Sequence, residues 1–263
     1  MTATVTSADG TSIAFDTYGV GSPVLLVGGA VNDRTTVAAL AATLGGAGFQ
    51  AVAFDRRGRG ASGDAPVYTV EREVGDVASL IEAVGGSAAL FGHSSGAILA
   101  LEATARGLPV TKLAVYEPPF IVGDARPRPG EDLAERISAA LAEGDRDSAV
   151  ELFLTEGTGA PAAVVDSMRN TPVWDWFVSL AHTLPYDLAV CGPGNHLPTD
   201  RLAAITVPVL SLSGGAGEAW MATSAAAVAD AVAHGRHEVV PNQDHGVLSA
   251  PESLREPLTT FLR

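Results

Sequence analysis

The sequence has little cysteine and no long apolar runs. Cys191 is the only cysteine of the 263 residues, so the chain cannot form an internal disulfide. This cysteine and the six histidines show no metal-binding spacing, and we expect neither a metal nor any other cofactor. No apolar run approaches about 18 residues, and the first residues lack a basic region followed by an apolar one. We therefore expect no membrane span, no secretion signal and a cytoplasmic location.

Basic residues are also scarce. The chain has 16 Lys and Arg against 30 Asp and Glu, a net charge of −14, and Lys112 is its only lysine. Nucleic acids and anionic membranes are bound through basic side chains, so we expect neither as a partner. A small-molecule substrate is the expected partner, and the oligomeric state, monomer or homodimer, is left open.

Short apolar runs alternate with helical patterns over most of the chain. Two β-prone runs flank the turn signal Asp9–Gly10 and predict an antiparallel hairpin. The later alternation predicts βαβ units and an α/β fold with a mostly parallel sheet. From 118 to 200 the pattern is helical without a convincing strand. We therefore predict a core domain of residues 1–117 and 201–263, interrupted by a helical insertion of residues 118–200.

The stretch Gly92-His93-Ser94-Ser95-Gly96 lies between a predicted buried strand and a predicted helix. A serine between two glycines at such a junction is typical of a nucleophile held on a sharp turn. The helix that follows directs free N–H groups and a positive partial charge at the site where an oxyanion would form. The pattern predicts Ser94 as a nucleophile, with the His93 side chain facing away from the reacting side.

A serine hydroxyl needs a nearby general base, because it is a weak nucleophile at neutral pH. His245 follows the last predicted strand and is expected at the same sheet edge as Ser94. An oxyanion also needs two backbone N–H donors. One is expected from Ser95, and the other from the loop after the first long strand, where Gly28 and Gly29 allow a close approach of the backbone.

Residues 55–62 read D-R-R-G-R-G-A-S and look like the D-x-R-G-x-G-x-S signature of the α/β-hydrolase family. The loop with Gly28 and Gly29, the sharp turn at residues 92–96 (the elbow) and His245 also follow one another in the order found in this family. The resemblance therefore covers nearly the whole chain. The nearest likeness is to small bacterial serine esterases and cofactor-free haloperoxidases. The resemblance implies an α/β-hydrolase sheet, makes residues 118–200 a helical cap over the pocket, and assigns the second oxyanion donor to Ala30. Serine at the nucleophile position disfavours the epoxide-hydrolase and haloalkane-dehalogenase branches, which use Asp there.

The acid that should orient His245 has two candidates. The family usually places it after the strand of residues 207–212, but this chain has no Asp there, and Glu218 comes about one position late. Some members place it after the strand that follows the elbow helix, where this chain has Glu117 before two prolines. We predict Glu117 as the acid, with Glu218 or neither residue as the alternatives.

The insertion carries several aromatic side chains that could line an apolar pocket. The candidate substrate contacts are Gly29, Trp174 and Trp176, with Phe177, His182 and Tyr186 near them. The sequence predicts a hydrolase acting on an ester, lactone or thioester of a small apolar compound through an acyl-enzyme. Perhydrolysis, carbon–carbon cleavage or a lyase reaction at the same site, and a ligand-binding protein with a vestigial triad, are the alternatives.

Overall fold

A computed structural model describes residues 2–263, so residue 1 of the predicted core domain lies outside the described residues. Eight strands form one sheet in the order β1-β2-β4-β3-β5-β6-β7-β8. The strands are β1 Ala3–Thr6, β2 Ser12–Tyr18, β3 Ser22–Val27, β4 Phe49–Phe54, β5 Ala88–His93, β6 Val110–Tyr116, β7 Val209–Gly214 and β8 Gly235–Val240. β1 and β2 pair antiparallel, as does β2 with β4, and the remaining pairs are parallel. The predicted α/β architecture with an N-terminal antiparallel hairpin is confirmed.

Helices connect the parallel strands. The helices that alternate with the strands are α1 Arg34–Gly46, α2 Val70–Ala83, α3 Ser95–Ala105, α10 Ala219–Ala231 and α11 Glu252–Leu262. Between β6 and β7 lie α4 Leu133–Ala142, α5 Arg146–Leu152, α6 Ala162–Met168, α7 Pro172–Leu180, α8 Leu184–Cys191 and α9 Thr199–Leu202. We call residues 118–208 the helical segment, and within the described chain this segment contains no strand. The domain division at residues 118 and 200 stays a prediction.

The sheet separates two apolar cores. In β3, Leu25 and Val27 pack into the core that includes α2 and α3, whereas Val24 and Leu26 pack into the one that includes α1 and α11. This alternation follows from the period of two along a strand, and burial on both faces explains why the run is apolar throughout. Each fully buried Leu or Val contributes about 1.5–3 kcal/mol. Within residues 2–263 no helix has the length and apolarity needed to cross a membrane.

The carboxyl ends of the central strands meet at one edge. His93 at the end of β5 pairs with Tyr116 at the end of β6, and Tyr116 pairs with Leu212 of β7. The residues that leave these strands, Ser94 and Glu117, therefore emerge side by side. This is the edge at which parallel sheets place their ligand sites.

The first turn of α3 fits against β3 only because residue 96 is glycine. A Cβ on Gly96 would overlap the carbonyl oxygens of Val27 and Gly28, whereas a Cβ on Gly46 in α1 would meet no atom within 4 Å. We expect Gly96→Ala to lower the free energy of unfolding by about 1–3 kcal/mol or more, because backbone must move. Gly46→Ala is the matched control and should be neutral or stabilise by up to about 1 kcal/mol. Denaturant unfolding of both variants measures this, and equal stabilities would contradict the packing described.

Candidate active site

Ser94 occupies a strained turn between β5 and α3. Its φ of 55° and ψ of −127° lie in a region that non-glycine residues rarely adopt, at a cost of about 1–3 kcal/mol. Two backbone hydrogen bonds hold it there: the Ser94 N–H donates to the Tyr116 oxygen at 3.0 Å, and the Ala97 N–H donates to the Ser94 oxygen at 2.9 Å. Ser94 is half-buried, so its hydroxyl sits at the edge of the sheet within reach of solvent.

Glu117 holds the imidazole of His245. The His245 Nδ1–H donates to Glu117 Oε2 at 2.7 Å, and the Gly214 N–H donates to Glu117 Oε1 at 2.8 Å. Glu117 is only 1% exposed, whereas the His245 side chain is 44% exposed. Because the carboxylate can only accept, the proton of a neutral imidazole sits on Nδ1 and leaves Nε2 free as a base. Glu117, like Ser94, has a positive φ, of 46°.

The side chains of His93 and Tyr116 form hydrogen bonds with the main chain at residues 244 and 245. His93 Nε2 lies 2.9 Å from the carbonyl oxygen of His245, and the Tyr116 hydroxyl donates to the oxygen of Asp244 at 2.7 Å. The His93 and His245 rings lie 4.8 Å apart between centroids. His93 is therefore turned toward the loop of the candidate base, a contact that the sequence analysis missed. Within residues 2–263 the Ser94 hydroxyl forms no hydrogen bond, and the neighbouring residue His93 contacts the carbonyl oxygen of His245.

The loop after β3 closes over the elbow. A Cβ on Gly29 would lie 2.8 Å from the Ser94 Cβ and 3.0 Å from the His93 oxygen, so only glycine fits there. Val31 completes the turn with a φ of 50°. In the described chain, the N–H groups of Ala30 and Ser95 donate to no protein acceptor. Ser95 follows Ser94 in the chain, and Ala30 follows Gly29, whose backbone lies against Ser94.

A buried network of charges lies behind this loop, and the sequence analysis missed it. The Asp187 carboxylate on α8 is 1% exposed and accepts from Arg56 Nη1, Arg59 Nη2 and the Ser95 hydroxyl at 2.7, 2.7 and 2.8 Å. Glu73 on α2 accepts from the Nε and Nη2 of Arg56 at 2.6 and 2.9 Å. The network holds two guanidinium groups and two carboxylates, so its formal charges cancel.

These ion pairs decide the protonation of the buried acids. Burial alone would raise the pKa of Asp187, but Arg59 and Arg56 outweigh it and hold the pKa below its ordinary value. Burial likewise acts to raise the pKa of Glu73, and Arg56 reverses the direction. The sequence did carry a signal of this network, because arginines fill the positions of residues 56 and 59, which the signature leaves variable.

A model of the alpha/beta hydrolase family matches residues 24–256. The chain belongs to the alpha/beta hydrolase family. It is similar, at 48% identity and a TM-score of 0.94, to the crystal structure of an alpha/beta hydrolase from Sphaerobacter thermophilus DSM 20745, over 99% of this chain and 100% of that one. A thermophilic esterase from Thermogutta terrifontis is 26% identical, with a TM-score of 0.71 over 100% of this chain and 98% of that one. The fold is shared with a bromoperoxidase from Bacillus anthracis, which is 17% identical. The TM-score is 0.76 over 100% of this chain and 99% of that one. This chain is accordingly a hydrolase enzyme.

The two candidate acids of this hydrolase lie in different surroundings. Glu117 contacts His245, as described above. Glu218 is exposed at the start of α10, where its carboxylate accepts from the indole N–H of Trp220. Of these two carboxylates, Glu117 alone contacts the imidazole.

The aromatic side chains of the helical segment divide into two groups. Trp174 is 4% exposed in the core of the segment and donates its indole N–H to Asp147 at 2.6 Å, so its ring packs inside the segment and not against an open pocket. The exposed Trp176 donates to the oxygen of Val31 at 2.8 Å and so touches the loop after β3. His182 Nε2 lies 2.7 Å from the Gly58 oxygen, and the Tyr186 hydroxyl donates to Asp64 at 2.9 Å. The partly buried Phe177 packs against the core of the segment.

The remaining polar groups show no further chemistry at this edge. Cys191 is partly buried, and desolvation raises the pKa of its thiol to about 12, which disfavours the reactive thiolate. Among residues 2–263, no group of three or more His, Cys, Asp or Glu side chains is arranged to hold a metal ion. The contact between Glu117 and His245 lies at the same sheet edge as Ser94.

The burial of His93 makes the stability of the protein depend on pH. Burial, with a smaller effect of the neighbouring His245, lowers the pKa of His93 from 6.5 to about 3. Between these pH values the unfolded chain binds a proton that the folded chain does not. His93 therefore lowers the free energy of unfolding as the pH falls from 6.5 toward 3, by up to about 1.4 kcal/mol per pH unit.

Glutamine keeps a hydrogen-bond donor but does not titrate. We therefore expect the free energy of unfolding of His93→Gln to fall less steeply with decreasing pH than that of the wild type, by up to about 1.4 kcal/mol per pH unit. Denaturant unfolding of the wild type and the variant at a series of pH values between 6.5 and 4 measures it. Parallel curves for the two proteins would show that His93 is not buried in the neutral form.

Proposed function

We propose that this enzyme is a serine hydrolase that works through an acyl-enzyme, with Ser94 as nucleophile, His245 as general base and Glu117 as the acid that orients His245. The observation that carries the proposal is the 2.7 Å contact between His245 Nδ1 and the buried Glu117, at the sheet edge where Ser94 is held on its turn. The carboxylate fixes the imidazole tautomer and stabilises the imidazolium that forms during the reaction.

The proposed reaction has two stages. Ser94 Oγ attacks the carbonyl carbon while its proton passes to His245 Nε2, and the oxyanion accepts hydrogen bonds from the N–H groups of Ala30 and Ser95. The bond to the leaving group then breaks, and that group takes the proton from Nε2. Water attacks the acyl-enzyme in the same way, which returns the proton to Ser94 and releases the acid.

We further propose that the substrate is an ester, lactone or thioester of a small apolar compound, and that the helical segment acts as a cap over it. Two observations support this. Val31, beside the proposed oxyanion donor Ala30, packs into the same apolar cluster as Leu180 and Leu184 of the helical segment. The similarity to the Thermogutta terrifontis esterase also favours carboxylic ester chemistry.

Labelling with a fluorophosphonate tests the nucleophile. We expect a single adduct on the peptide that contains Ser94 in the wild type, because the activated hydroxyl attacks phosphorus as it would a carbonyl carbon. Ser94→Ala should give no adduct. A wild type that stays unlabelled while it hydrolyses p-nitrophenyl esters would refute the assignment, as would an adduct on another residue.

A pair of glutamate variants tests the acid. Glu117→Gln keeps the shape of the side chain but removes the charge that supports the imidazolium, so we expect kcat for a p-nitrophenyl ester to fall by about 10²–10⁴-fold. Glu218→Gln is the matched control and should retain the wild-type kcat, because Glu218 is exposed and contacts Trp220. The opposite ranking of the two variants would move the acid to Glu218.

A further inference from the structure

We infer that Arg59 and Asp187 are positioning residues that aim the two oxyanion donors, and that they couple the helical segment to the reaction. The inference rests on the proposed function, since it concerns the same Ala30 and Ser95 N–H groups. It assigns to the network behind the loop a part in catalysis beyond its part in the fold.

The first donor is fixed through its own peptide group. Arg59 Nη1 donates to the carbonyl oxygen of Gly29 at 2.6 Å. This carbonyl and the Ala30 N–H belong to one planar peptide unit and point in opposite directions. A hydrogen bond that fixes the oxygen therefore fixes the direction of the N–H. It also polarises the peptide, which strengthens the N–H as a donor.

The second donor is fixed through its side chain. The Ser95 hydroxyl donates to Asp187 Oδ1 at 2.8 Å, and Ser95 is the first residue of α3. The other oxygen of the same carboxylate, Oδ2, accepts from Arg59 at 2.7 Å. The Asp187 carboxylate thus links the Ser95 side chain to Arg59, which in turn holds the Gly29 carbonyl, so the two donors are connected through one group.

Asp187 comes from α8, whereas Arg56 and Arg59 come from the loop after β4, Glu73 from α2 and Ser95 from α3. The helical segment therefore supplies a group on which the alignment of the proposed oxyanion site depends. A displacement of α8 would release Ser95 and leave the charge of Arg59 buried without its partner, which is strongly disfavoured. We expect the site to be fully competent only with α8 in this position.

The neighbouring Arg57 provides a matched control. It is as deeply buried as Arg59 and also lies in an ion pair, with Asp76, through two contacts of 2.7 Å. Its other contacts are Asp9 and the Arg72 oxygen, so it touches neither the loop after β3 nor α3. Replacement of either arginine by lysine keeps the charge and loses the forked geometry.

The test compares Arg59→Lys with Arg57→Lys. With a p-nitrophenyl ester of a short fatty acid, we expect Arg59→Lys to lower kcat by about 10–100-fold with KM within about threefold, since the loss falls on the transition state. A trifluoromethyl ketone, which mimics the oxyanion, should bind more weakly by a similar factor. Arg57→Lys should lower thermal stability but leave kcat and the affinity for the trifluoromethyl ketone as in the wild type. Equal effects of the two variants on kcat and on inhibitor affinity would overturn the inference.

A second variant covers the case in which Arg59→Lys does not fold. The double substitution Arg59→Met with Asp187→Leu removes one charge of each sign and leaves the Arg56–Glu73 pair, and such apolar replacements of buried ion pairs are often tolerated. It should fold and show the same loss of kcat and of inhibitor affinity. Wild-type values in this variant would also overturn the inference. Absence of fluorophosphonate labelling in the wild type would instead count against the proposed function itself.

Discussion

The geometry of this site depends on the hydrogen bonds of one buried group, the carboxylate of Glu117. A carboxylate removed from water is very costly unless both of its oxygens are hydrogen-bonded. Here one oxygen accepts from the backbone of Gly214 and the other from the imidazole of His245. The hydrogen bonds of this one buried carboxylate therefore connect the ends of β6 and β7 to the loop after β8. Tyr116 and His93, at the ends of β6 and β5, form hydrogen bonds with the main chain of the same loop.

Ser94 lies between two separate hydrogen-bond systems. One of them joins Glu117 to His245 and, in the proposed mechanism, accepts and returns the proton of Ser94. The other joins Asp187 through Arg59 to the loop after β3, and we infer that it aligns the N–H donors for the negative charge of the oxyanion. Ser94, Glu117 and Val31 all have positive φ values, so the backbone at this edge is strained where these systems meet. Surrounding structure must outweigh that strain, as is common where a site is organised before its substrate arrives.

The sequence predicts the sheet well, because the central strands β3, β4 and β5 each contain an uninterrupted apolar run, at residues 24–27, 51–54 and 88–91. Ser94 and His245 could be singled out because strand ends of a parallel sheet meet at one edge. The sequence favours Glu117 over Glu218 as the acid, but both follow strands of that edge and only loop geometry separates them. Asp187 could not be found, because its contacts with Arg59 and Ser95 cross 128 and 92 positions of the chain and join α8 to the loop after β4 and to the start of α3.

Rapid-quench mass spectrometry of the wild type can show whether the acyl group of the substrate is carried by Ser94 during turnover. The enzyme is mixed with a p-nitrophenyl ester, quenched within the first turnover, digested and analysed. The account predicts one acyl group on the peptide that contains Ser94, which disappears at the rate of steady-state turnover. Release of the acid with no acyl group on that peptide, or with the acyl group on another residue, would contradict it.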